Sequence, residues 1–298
     1  MRIGYPCLNR TLGCKASKTF RLKSYSESRL IEAIENNLDC LLKMLRFNAE
    51  NELLFFRITS DLVPFASHPV CKFNWQKHFK NEFEEIGKFI KDYGIRISMH
   101  PDPFTLINSI DEDIFKRSCK ELLYHSQVLD LIKLDATAKI QIHVGGVYGD
   151  KISSIDRFVA RLSKIDSVVK KRLVIENDDR NYTLSECLSI SRRTGIPVLL
   201  DVFHHSLNCS GESVKDGLKF SQKTWKKADG ILMVDYSIQK PNARQGSHAE
   251  SINIRGFKNF LEESKPYDFD IMLEIKDKEK SALKAVKTLH GDRRFMKY

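Results

Sequence analysis

Short runs of β-branched, aromatic and other apolar residues recur along the chain, with amphipathic stretches between them. The runs are Arg2–Tyr5, Leu53–Ile58, Ile95–His100, Lys139–Val144, Arg172–Asn177, Pro197–Val202, Gly230–Tyr236 and Asp270–Lys276. Between them, apolar residues fall at three- and four-residue spacing, which predicts helices near Glu27–Phe47, Trp75–Tyr93, Glu112–Leu134, Ile155–Lys170, Leu184–Arg193, Val214–Ala228, Gly256–Glu263 and Lys278–Leu289. Ser24 and Glu27 stand at capping-box spacing ahead of Leu30, Ile31 and Ile34. Thr183 and either Ser153 or Ser154 are candidate helix caps. Gly94 and Gly195 each stand between a helix and the next strand.

The strands are too continuously apolar for a sheet with one wet face, so they predict a parallel sheet covered by helices on both sides. Eight strand–helix units close a single (β/α)8 TIM barrel, here one domain over residues 1–298. A doubly wound open sheet is the competing architecture, and the placement of polar residues separates the two. His100, His143, Glu176, Asp201, Asp235 and Glu274 each end or follow a strand, and His204 and His205 come just after Asp201. In a closed barrel these positions meet at one mouth; in an open sheet they would spread along an edge. Buried carboxylates so close together need cations to stay ionised. Imidazole and carboxylate donors suit Zn²⁺, Mn²⁺ or Fe²⁺, and the excess of oxygen favours Mn²⁺ or a mixed cluster. A multinuclear site of this kind suits phosphodiester hydrolysis.

Charge supports that direction. Lys and Arg number 49 and Asp and Glu 39, a net +10 that favours a polyanionic partner. Arg10, Lys15, Lys18, Arg21 and Lys23 follow the first strand, and Lys240 and Arg244 follow the seventh, so both groups would rim the mouth. The run Lys276, Lys278, Lys280, Lys284 and Lys287 reads as a solvated helix face. Seven cysteines at irregular spacing, with no CxxC pair, predict reduced thiols in a cytoplasmic protein, and a DNA partner would make it nucleoid-associated. No stretch approaches the length of a membrane span, and a monomer is expected.

Several segments resemble the UV damage endonuclease (UVDE) family, relatives of endonuclease IV among the xylose-isomerase-like barrels. They are Gly4-Tyr5-Pro6-Cys7-Leu8-Asn9, the long run from Arg57 to Pro69, Met99-His100-Pro101-Asp102, Ile142-His143-Val144-Gly145-Gly146, Glu176-Asn177-Asp178-Asp179, Asp201-Val202-Phe203-His204-His205, Asp235-Tyr236-Ser237-Ile238-Gln239 and His248. The resemblance implies a metal-dependent repair nuclease that nicks duplex DNA 5′ to UV photoproducts (cyclobutane dimers and 6-4 photoproducts) and leaves a 3′-hydroxyl. It implies a multinuclear Mn²⁺ centre of three metals, with Zn²⁺ or Mg²⁺ as substitutes. His100, His143 and Glu176 would hold one metal. Glu176 would bridge to a second with Asp201, Asp235 and Glu274. His204 and His248 would hold a third, with His68 at the edge, and Glu176 and Glu274 would also orient water. Tyr5 and Asn9 would line the lesion-binding region.

The chain departs from the family in two places. Where members commonly carry Gln and an aromatic that probe the lesion, it has Pro103 and Phe104, so the aromatic wedge survives without its amide. Where some members carry Lys and His on the seventh strand, it has Met233 and Asp235, which excludes a modified-lysine ligand and puts an acid in the histidine's place. Other assignments are a sugar isomerase or epimerase, an apurinic-site endonuclease, and a non-catalytic damage-binding protein.

Overall fold

The computed structural model describes residues 1–296. Eight strands close a parallel barrel in sequence order: β1 Ile3–Pro6, β2 Phe55–Ile58, β3 Arg96–Met99, β4 Lys139–His143, β5 Leu173–Glu176, β6 Val198–Asp201, β7 Met233–Tyr236 and β8 Asp270–Leu273. The ring is sealed by β1 on β8, with Ile3 opposite Ile271. The open-sheet alternative is therefore excluded. The expected domain ran to Tyr298; Lys297 and Tyr298 lie outside the described residues.

The helices are α1 Glu27–Glu50, α2 Trp75–His78, α3 Lys80–Asp92, α4 Glu112–Leu131, α5 Lys151–Leu162, α6 Ser167–Lys170, α7 Leu184–Thr194, α8 Val202–Leu207, α9 Val214–Gln222, α10 Ile254–Glu263 and α11 Glu279–Leu289. Caps decide where they start. Ser26, not Ser24, caps α1 by accepting from the Arg29 amide, while Ser24 closes a 3₁₀ turn. Thr183 and Glu186 form the capping box of α7. Asp150, not Ser153 or Ser154, caps α5, which starts four residues before the expected Ile155. A side-chain cap of this kind contributes about 1 kcal/mol. The predicted helix over Trp75–Tyr93 breaks at Phe79, and that over Ile155–Lys170 breaks before Asp166, which caps a new turn. Gly195 closes α7 at φ 75°, a left-handed position that glycine takes without strain.

Side chains alternate between barrel interior and helical layer. The outward ones join a shell containing Phe56, Ile58, Ile97, Ile140 and Ile142. Inside, Phe55, Val174, Leu199, Met233 and Met272 form a separate apolar plug. Met233 thus sits below the mouth, in the plug. Cys14 and Cys40 form a disulfide that ties the β1–α1 loop to α1. This corrects the expectation of reduced thiols throughout. A separation of 26 residues carries no local signal of pairing; the fold alone brings the two sulfurs together. No described helix is long and apolar enough to cross a membrane.

Candidate metal centre

Above the apolar plug, the next inward positions are polar. Arg57 on β2, Gln141 on β4, Glu176 on β5, Asp201 on β6 and Asp235 on β7 are all buried. His100, His143 and Glu274 stand at or just beyond the strand ends. The Asp201 carboxylate accepts from the His204 amide at 2.7 Å, which starts α8 and turns the His204 ring inward. The run expected to reach Val202 stops as a strand at Asp201, and Val202 opens the helix.

Three donor groups result, each with ligand atoms within 4.8 Å of one another: His100, His143 and Glu176; Glu176, Asp201 and His204; Asp201, Asp235 and Glu274. Glu176 Oε1 lies 2.8 Å from His100 Nε2 and 3.1 Å from His143 Nε2. His248 stands on the β7–α10 loop with Nε2 3.9 Å from Glu274 Oε2, outside these groups but beside them. A cavity of about 370 Å³ opens over Arg57, His100, Asp102, His248, Glu274 and Lys278.

The electrostatics are strained. Burial pushes Asp201 well above the usual carboxylate range, and Glu274, Asp235 and Glu176 add to the shift against the pull of His204. Burial also raises Asp235 to about 7, although Arg57 opposes it. Glu176 is held at about 2, because His143 and His100 outweigh its burial. His204 rises to about 9: burial disfavours its charge, but Asp201, Glu176 and Glu274 favour it more strongly. Four carboxylates face one guanidinium, so further positive charge is needed here. The buried Nδ1 atoms of His143 and His248 have no hydrogen-bond partner. Imidazoles and excess carboxylates fit divalent cations.

Other expected residues fall elsewhere. His68 is exposed on the β2–α2 loop, where its Nδ1 accepts from the Val70 amide at 3.1 Å. It lines a second cavity of about 400 Å³ with Phe104 and Arg117, which meets the first at Asp102. It belongs to none of the donor groups, and its ring packs edge-on against Phe65. Tyr5 and Asn9 are buried rather than on the mouth surface: the Tyr5 hydroxyl donates to Asn48 of α1 at 2.7 Å and accepts from Asn9 at 2.9 Å. Asn9 Oδ1 accepts the Thr11 and Leu12 amides, so the pair shapes the loop. Phe104 is 83% exposed beside the mouth, next to exposed Pro103. Arg10 donates to the Lys276 carbonyl, Lys240 pairs with Glu250, and Arg244 is exposed. Lys280, Lys284 and Lys287 are the solvated face expected of α11, but Lys278 is not part of it. Lys278 takes a φ of 56° ahead of the helix and lines the cavity, where burial lowers its pKa.

Arg57, Gln141 and Lys278 were not singled out as site residues. Arg57 and Gln141 were visible in principle, as polar residues at the inward parity of otherwise apolar strands.

Fold and site define a parallel β/α barrel with a histidine–carboxylate centre at the carboxyl ends of its strands. The model of the family described as UV-endonuclease UvdE matches residues 1–297. The UV DNA damage endonuclease of Clostridium perfringens (strain 13 / Type A) is 42% identical over 293 residues, covering 97% of this chain and 71% of the relative. That of Bacillus thuringiensis subsp. konkukian (strain 97-27) is 34% identical over 303 residues, covering 98% and 96%. The crystal structure of SacUVDE superposes with a TM-score of 0.93 at 46% identity, over 97% of this chain and 98% of that one. The chain belongs to the UV-endonuclease UvdE family.

Proposed function

We propose that this chain is a metal-dependent DNA repair endonuclease that nicks duplex DNA on the 5′ side of UV photoproducts and leaves a 3′-hydroxyl. The observation that carries the proposal is the set of donor groups sharing Glu176 and Asp201 at one barrel mouth, in a chain of this family. Family membership weighs against a sugar isomerase. His100, His143 and Glu176 hold one divalent cation, and Glu176, Asp201 and His204 a second. The donor mix, imidazole nitrogen and carboxylate oxygen in equal number across the two sites, suits Mn²⁺. Bound there, divalent cations supply water activation and charge stabilisation for phosphodiester cleavage.

The chain's own residues do the rest. Glu176 and Glu274 orient the attacking water. Lys278 lines the same cavity as Arg57 and Glu274, makes no ion pair among the described residues, and draws in a backbone phosphate. Arg10, Lys240 and Arg244 add positive charge to the rim. Phe104 projects as an apolar wedge that opens the base stack, at less cost where a photoproduct has already weakened stacking. The substrate is damaged duplex DNA, and the chain acts as a monomer.

The test is incision of a single-lesion duplex and its undamaged counterpart in Mn²⁺, Mg²⁺, Zn²⁺ or chelator. A nick 5′ to the lesion, extendable by a polymerase and lost in chelator, is expected. Equal cutting of both duplexes, or cutting that survives chelation, overturns the proposal.

A further inference from the structure

Arg57 reaches across the barrel lumen from β2. Its Nη2 donates to both oxygens of Asp235, at 3.0 and 2.8 Å, and to Gln141 Oε1 at 2.7 Å, while Nη1 donates to Glu274. The guanidinium therefore sets the direction of the Gln141 amide: with Oε1 facing Arg57, Nε2 must face the carboxylates. It donates to Asp235 Oδ2 at 2.6 Å and to Glu176. Both Asp235 oxygens are thus occupied, in a side chain that is fully buried beside an Arg57 that is 3% exposed. The other three carboxylates differ. Glu176 turns Oε1 to His100 and His143, Asp201 lies by His204, and Glu274 keeps Oε2 toward His248.

We infer that Asp235 is the counter-ion of Arg57 and not a metal ligand, so that the centre takes two divalent cations, with the guanidinium standing as the third positive charge. Arginine cannot shed its proton, and a buried guanidinium stripped of its carboxylate is strongly disfavoured. A dication on either Asp235 oxygen would face Arg57 across that oxygen with no solvent between them. Without Asp235, the third donor group keeps only Asp201, already shared with the second, and Glu274. Arg57 is accordingly a positioning residue, which sets the number of cations and the orientation of Gln141. This assignment rests on the metal-dependent reading of the mouth.

The experiment counts Mn²⁺ per chain, by equilibrium dialysis and elemental analysis, in the full-length protein and in Asp235→Asn, Arg57→Met and Arg57→Lys. The expectation is two per chain in the parent and in Asp235→Asn, a rise to three in Arg57→Met where Asp235 is freed, and a return to two in Arg57→Lys. A parent count of three, loss of one cation in Asp235→Asn, or no rise in Arg57→Met overturns the inference. An anomalous-scattering map of the unsubstituted Mn²⁺ protein decides the matter should a variant fail to fold: a peak in coordination contact with Asp235 refutes it, and two peaks clear of Asp235 support it. A parent that binds no Mn²⁺ fails the metal-dependent reading itself, which separates the two failures.

Discussion

The barrel buries charge at both ends, and the two ends handle it differently. At the floor, Arg96 pairs with Asp270 at 2.9 Å and also donates to the carbonyls of Ile231 and Asp229. Arg2 gives Asp270 a second cation, and Lys139 pairs with Asp229. Arg96 and Lys139 both lie over the Trp225 ring, 5.4 and 5.9 Å from its centroid. Each floor carboxylate has its own cation. At the mouth, Arg57 pairs with Asp235 and Glu274, while Glu176 and Asp201 have only imidazoles beside them. A balanced ionic cluster closes a barrel; an unbalanced one stores an electrostatic deficit that a cationic cofactor can fill.

Variants at the two ends should therefore fail in different ways. Glu176→Gln should lower incision of lesion-containing DNA by on the order of 10³- to 10⁴-fold while duplex binding persists, since a shared donor is lost from the centre. Incision close to that of the parent would remove Glu176 from the site. Asp270→Asn should cost about 3–5 kcal/mol of stability, because it leaves buried Arg96 unpaired. Urea unfolding measures this, and the folded variant should cut at the parental rate.

The helical layer supplies a third environment. His125 on α4 is fully buried, its Nδ1 donates to the Glu121 carbonyl, and its Nε2 has no hydrogen-bond partner. Burial lowers its pKa from 6.5 to about 4. The stability this neutral ring contributes is complete above pH 6.5 and lost as pH falls through 4, amounting to about 3 kcal/mol. His125→Gln should flatten the unfolding free energy across that window by the same amount. An unchanged slope would show that the ring is not the source. The smallest effect belongs to metal removal: chelation should cost about 2–3 kcal/mol at cation concentrations near one hundred times Kd, read as a lower Tm. Asp270→Asn should keep that shift, and Glu176→Gln should shrink it. The same shift in both variants would erase the distinction between mouth and floor.

Much of this molecule is legible along the chain, because a barrel repeats one local instruction. Every strand was visible as an apolar run, and most helices as a three- and four-residue apolar rhythm. The strand-end positions of His100, His143, Glu176, Asp201, Asp235 and Glu274 follow from where each run stops, and closure of the sheet carries them to one mouth. Boundaries set by a single hydrogen bond were less visible. The choice of Ser26 over Ser24, the break at Phe79 and the turn begun by Asp201 each depend on one backbone geometry among several of similar energy.

Pairing across the barrel was beyond the sequence. Arg57 and Asp235 are 178 residues apart, and nothing local tells an inward arginine which of four carboxylates it will meet. The same holds for the Cys14–Cys40 disulfide, for the burial of Tyr5 and Asn9 under α1, and for the exposure of His68. Periodicity and residue type specify the elements and the chemistry at their ends, since both are local properties of the chain. Partner choice, charge balance and the side of a loop that meets solvent depend on distances between remote segments, and those exist only once the barrel has closed.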